Sequence, residues 1–112
     1  IFSFADTGYY LIMAQAWWDF LADATEQSSY ITIDGSLAGA SYVGLSRGFG
    51  GSSGNYSTGR EGANCHTLIK ISTTATDKIK LSFSTAPAST TLKLQGNTIT
   101  SFTAMTFIKL SS

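Results

Sequence analysis

The chain has 112 residues, 43% of them hydrophobic, with seven basic and seven acidic side chains and no formal net charge. One domain fits that length, and such a domain buries about two-thirds of its unfolded surface. The charges are scattered singly, so no basic stripe points to nucleic acid, and the longest apolar stretch, about a dozen residues ending before Asp19, is too short for a membrane-spanning helix. Cys65 is the only cysteine, which excludes an intrachain disulfide framework. No signal-peptide pattern is visible and the chain opens at Ile1, so it is expected to be processed, trimmed, or a single domain, residues 1–112, forming the C-terminal part of a longer chain. Abundant Ser, Thr and Gly, few charges and a single proline, Pro87, fit an all-β surface protein.

The first strong signal is Tyr9–Phe20 (YYLIMAQAWWDF), apolar on both alternating faces. Tyr10, Ile12, Ala14, Ala16, Trp18 and Phe20 would line one face, and Tyr9, Leu11, Met13 and Trp17 the other, relieved by Gln15 and Asp19. A strand half-exposed to water alternates, whereas one covered on both sides does not. A helix capped by Asp6 or Thr7 is the competing reading, opposed by the Tyr, Trp and Phe content and by Gly8 at its start. A polar loop follows, then a short strand at Tyr30–Ile33 closed by an Asp34-Gly35 turn.

Nine glycines lie from Gly35 to Gly62. A strand is expected around Ser41–Ser46, followed by a long loop RGFGGSSGNYSTGREGAN. His66–Thr73 and Lys78–Ser84 read as a strand pair, with Thr74–Asp77 as a hairpin connection and Ile79, Leu81 and Phe83 alternating with polar residues. Thr90–Gln95 is a further strand with a Gly96-Asn97 turn, and Phe102–Leu110, again apolar on both faces, closes the chain. About eight strands with turn signals every 8–12 residues predict an antiparallel sandwich or jelly roll.

Chemistry is sparse. Gly48 and Gly50 lack the third glycine of a dinucleotide fingerprint, Ser53 standing in its place, and no Gly-Lys-Ser/Thr follows. Cys65 and His66 are neighbours and would face opposite ways on a strand, which predicts a buried thiol beside a surface imidazole rather than a nucleophile–base pair. One Cys and one His do not make a metal site, so no metal and no cofactor is expected. The acidic residues fall mostly at predicted turns, where backbone reasons suffice, so no catalytic residue is assigned. Asn55-Tyr56-Ser57 matches a glycosylation acceptor that short sequences produce by chance. Arg47, Phe49, Tyr56 and Arg60, set among Gly and Ser in the long loop, have the composition of an adaptable ligand-binding surface. A loop with its aromatics tucked back onto the sandwich is the alternative.

The segment order resembles a known family. Phe2-Ser3-Phe4 precedes Thr7-Gly8-Tyr9-Tyr10, Asp77-Lys78-Ile79 opens a late strand, and Phe102-Thr103-Ala104-Met105 leads into the last one. This is similar to the tumour-necrosis-factor-like jelly roll of complement globular heads, with Thr76 replacing the glycine of a G-D-x-V motif and Ala104 and Met105 departing from F-S-G-F. It is more similar still to the small jelly-roll heads of marine bacteriophage fibres, whose F-x-F-x-x-x-G-x-Y-x-I opening and T-x-x-T-F-I-R-L closing read here as Phe2–Ile12 and Thr103–Leu110.

The resemblance implies an antiparallel jelly-roll sandwich in which the first and last long strands adjoin in an inner sheet, with one face on the core and the other on a threefold axis. Tyr10, Ile12, Ala14 and Trp18 would then be core, and Tyr9, Leu11, Met13, Trp17, Met105 and Phe107 the trimer interface. A homotrimeric, non-enzymatic bacteriophage virion head is the function this implies: a capsid fibre, decoration protein or tail-fibre tip on the particle surface. It would contact other virion proteins and a host receptor or surface glycan, without nucleic acid or membrane insertion. A secreted complement-head-like recognition or signalling trimer is the alternative. A polysaccharide-degrading domain is the remoter one, requiring Asp19, Asp34 and Glu61 to converge.

Overall fold

A computed structural model describes residues 1–20, 27–52, 59–86, 92–94 and 103–112. The described elements are β1 (Phe2–Ser3), β2 (Gly8–Phe20), β3 (Gln27–Ser36), β4 (Val43–Ser52), β5 (Gly59–Ile71), β6 (Lys78–Ala86), β7 (Leu92–Leu94) and β8 (Ala104–Ser111). Every strand pair among the described residues is antiparallel. The first apolar run is a strand, and a helix there is excluded.

Two sheets face each other. One has the order β1-β6-β3-β4; the other has β2 at its centre, with β5 along one side and β8 followed by β7 along the other. β2 and β5 pair over their full 13 residues, from Gly8 opposite Ile71 to Phe20 opposite Gly59. β8 covers Tyr9–Gln15 of β2 and β7 covers Trp18–Phe20.

Alternation decides the core. Ile12, Ala14, Ala16 and Trp18 of β2 are buried against Ile31 and Ile33 of β3, Ile69 and Ile71 of β5, and Ile79 of β6. Trp18 meets Phe83 from the opposite sheet at 5.4 Å between ring centroids. Cys65 is buried and His66 exposed, the division their adjacency predicted.

Three local expectations are corrected. The Asp34-Gly35 pair lies inside β3, where the register with β4 shifts between Ile33 and Asp34. The chain turns instead at Leu37–Ala40, closed by the Ala40 amide on the Leu37 carbonyl at 3.0 Å, with Ala38 and Gly39 at φ 53° and 75°. β5 and β6 are not a hairpin: they belong to opposite sheets, so Thr74–Asp77 crosses the sandwich and the isoleucines of the two strands meet through the core. The glycine-rich stretch is strand at both ends, since β4 runs on to Ser52 and β5 starts at Gly59.

Glycine is required there by close approach. A Cβ on Gly48 would lie 2.1 Å from the Asn64 carbonyl oxygen, and one on Gly50 would lie 2.7 Å from the Trp18 ring. At Gly48 and Gly50 the inner side of β4 therefore rests directly on the β5 backbone and on Trp18, with no side chain between them. On the other side, Phe2 and Phe4 pack on Phe107 at 5.1 and 5.7 Å, and Phe4 on Tyr10 at 4.8 Å.

Candidate functional site

Directly opposed residues of an antiparallel pair share a face. Leu11 faces Leu68 and Ile108, and Met13 faces His66 and Thr106, so these side chains lie on the outer surface of the β5–β2–β8 sheet. Tyr9, Met13, Trp17, Leu68, Ile108 and Leu110 are all exposed, Leu68 at 62% and Trp17 at 45%. The surface holds a depression of about 380 Å³ near its middle, where Gln15, Asn64, His66 and Thr106 gather beside Met13. The Lys70 ammonium lies 5.8 Å from the Tyr9 ring centroid at one end. The result is a broad apolar face with a polar centre.

Of the six residues expected on this face, Tyr9, Leu11, Met13 and Trp17 lie there and Met105 and Phe107 do not. Ile12 pairs with Phe107 and Ala14 with Met105, which turns both side chains inward, where they pack against the core. Ile108, with Leu110 exposed beside it, occupies the outer surface instead. The last strand is apolar at both parities, so its own pattern does not say which set points in. Leu68 was also missed; its position opposite Leu11 follows only from the β2–β5 register.

A second surface lies on the outer side of the other sheet. Tyr30 pairs with Phe49 and Thr32 with Arg47 across β3 and β4. The Arg47 guanidinium carbon stands 4.3 Å from the Tyr30 ring centroid and 6.0 Å from that of Phe49, and its Nε donates to Thr32 Oγ1 at 3.2 Å. Thr32 is buried although it faces outward. Phe49 is the most exposed ring described, at 68%. Further along β3, beyond Thr32, Asp34 accepts from the Ser82 hydroxyl and sits 4.0 Å from Lys80, whose ammonium is 4.5 Å from the Tyr42 ring centroid. A shallow depression of about 310 Å³ runs along Thr32, Leu45 and Arg47.

Comparison with protein-family models, with curated proteins and with solved structures finds no match to this chain.

The four residues expected to form one binding loop are thus divided. Arg47 and Phe49 stand on β4 and are joined by Tyr30, which sequence reasoning did not single out. Arg60 stands on β5, opposite Asp19 in the other sheet, and Tyr56 lies outside the described residues. Asp34 is likewise in one sheet, and Asp19 and Glu61 in the other. A planar cation stacked on an aromatic ring beside a second, open ring can take a carboxylate on the guanidinium and a sugar face on the phenyl. At the buried Cys65, burial pushes the thiol pKa up, outweighing hydrogen bonds that act the other way, which disfavours the reactive thiolate.

Proposed function

We propose that this chain is a non-catalytic head domain of a bacteriophage virion protein, assembled as a homotrimer and displayed on the particle surface for contact with a host receptor or glycan. The observation that carries the reading is the outer face of the β5–β2–β8 sheet. Aromatic and aliphatic side chains are spread along all three strands on a surface that the domain's own core does not use. Contiguous apolar patches of that kind mark association sites. Burying each large side chain contributes about 1.5–3 kcal/mol, so several per subunit make the trimer obligate.

The fold we propose is a tumour-necrosis-factor-like jelly roll. Its support is the nesting of the strands: β3 pairs with β4, β2 with β5 and β1 with β6, as in one long folded-over ladder. The first long strand and the last adjoin, which the family resemblance requires. Three copies on one axis would present the Arg47–Tyr30–Phe49 surface threefold, so that weak single contacts add through avidity.

The test is the mass of the isolated chain in solution, by light scattering down to sub-micromolar concentration. A stable trimer is expected. A well-folded monomer would overturn the assembly and the function built on it.

A further inference from the structure

The outer face of the β1–β6–β3–β4 sheet carries its cations at two separate places. At one, Arg47 stands beside the rings of Tyr30 and Phe49, with its Nε held by Thr32 Oγ1. At the other, the Lys80 ammonium lies 4.5 Å from the Tyr42 ring centroid. Lys78, two residues before Lys80 and so on the same face, is anchored to Ser3 Oγ at 3.1 Å and to the Thr74 carbonyl at 3.3 Å. Thr32 lies opposite both Arg47 and Ser82, and Asp34 lies opposite Lys80. The second place is therefore two strands over and one alternation along, which sets the Arg47 and Lys80 backbones about 12 Å apart.

Two features lie between the cations. Gly44 puts no side chain over the middle strand, where a Cβ would stand 3.2 Å from Thr32 Cγ2 and 3.7 Å from Asp34 Oδ1. The shallow depression of about 310 Å³ that reaches Arg47 runs through this gap. Asp34, tied to Ser82 and 4.0 Å from Lys80, is the carboxylate of the middle strand. It repels an anion there and accepts a hydroxyl. Among the described residues of the face, Arg47, Lys78 and Lys80 outnumber this one acid. The order across the sheet is cation, acceptor, cation, with an aromatic ring beside each end.

We propose that this face is an extended track for an acidic polysaccharide in which charged and neutral sugars alternate. One carboxylate sits on the Arg47 guanidinium and the next on Lys80 and Lys78. The neutral sugar between them lies over Gly44 and donates a hydroxyl to Asp34. A single sugar does not reach both cationic places, whereas a short run of linked rings does. The track deepens the glycan contact proposed above and rests on it, but it lies within one subunit and needs no trimer.

The experiment is calorimetric titration with four saccharides. The alternating probe is a hyaluronan tetrasaccharide, compared with tetragalacturonate, maltotetraose and free glucuronate. The alternating probe should bind at least about tenfold tighter than glucuronate or maltotetraose. It should also exceed tetragalacturonate, whose inner charges meet Asp34, and Asp34→Asn should narrow that gap. Lys80→Gln and Tyr42→Ala should each weaken the alternating probe by about tenfold and leave glucuronate unchanged, whereas Arg47→Ala should weaken both. Circular dichroism verifies the fold of each variant. Tetragalacturonate bound as tightly as the alternating probe, or an affinity untouched by Lys80→Gln and Tyr42→Ala, would overturn the track and leave a simple contact at Arg47 standing. No binding of any of the four would sink the glycan contact and the track together.

Discussion

Asp77 Oδ1 accepts the amide of Ala38 at 2.7 Å, joining residues 39 apart in sequence. Its Oδ2 accepts the amides of Ser72 and Thr73 at 2.8 and 2.9 Å, so one buried carboxylate ties the β3–β4 turn to the β5–β6 crossover. Ala38 is the residue held at φ 53°, a conformation a side chain resists, and the Asp77 contact fixes it there. Burial alone would push the Asp77 carboxyl up, but the amides of Ala38, Thr73 and Ser72, with the Thr76 hydroxyl, outweigh it and hold the pKa below the usual carboxylate range.

That direction sets the pH dependence. A carboxylate with a lowered folded pKa contributes stability that is whole above the unfolded value and is lost as pH falls through the folded one. Unfolding midpoints in urea should therefore decline as pH drops below about 4. Asp77→Asn should be less stable by about 1–3 kcal/mol at neutral pH and should lose most of that decline. A variant with the same acid slope as the parent would assign the slope to other carboxylates.

Gly48 predicts a steric effect confined to one strand. In Gly48→Ala the new methyl would meet the Asn64 carbonyl, and backbone has to move, costing about 1–3 kcal/mol or more. In Gly44→Ala the closest atom is the Thr32 Cγ2 at 3.2 Å, and the cost should be smaller. Thermal melts of the two variants side by side test the direct seating of β4 on β5; equal melting points would refute it.

Neighbouring residues of β8 should behave oppositely. Ile108→Lys places charge on the outer face and should leave the subunit folded while breaking the proposed trimer. Phe107→Lys places it among Phe2, Phe4 and the core, and should cost about 3 kcal/mol or more of fold stability. Light scattering and circular dichroism together separate the two. If Ile108→Lys remained trimeric, the interface would lie elsewhere.

Arg47→Ala and Phe49→Ala test the outer surface of the other sheet. Both side chains are exposed, so each change should alter stability by less than about 1 kcal/mol. If the proposed attachment role holds, retention on immobilised acidic and neutral saccharides should fall by about tenfold, Arg47→Ala affecting the acidic ones most. Unchanged retention in both variants would leave this surface without a role in attachment.

Much of the architecture follows from alternation, which is a local property. β2 is a strand because its aromatic and branched residues suit a pleated surface, and Tyr10, Ile12, Ala14, Ala16 and Trp18 turn inward together because strand side chains alternate. Its second apolar face is legible in the same letters, as is the opposite orientation of Cys65 and His66. What the local pattern left open is every decision that depends on a partner strand. Met105 and Phe107 against Ile108 and Leu110 is a choice between two apolar parities, resolved by the register that sets Phe107 opposite Ile12. Thr74–Asp77 is short enough for a hairpin or a crossover, and the crossover is tied down by a carboxylate reaching Ala38 in another turn. The RGFGG stretch resembles a loop until the β5 backbone and Trp18 are seen to occupy the space of its missing side chains. Sequence by itself determined the strands and their amphipathic faces, through side-chain alternation and β propensity. Tertiary structure alone decided register, crossover and close approach, because those depend on contacts between residues far apart in the chain.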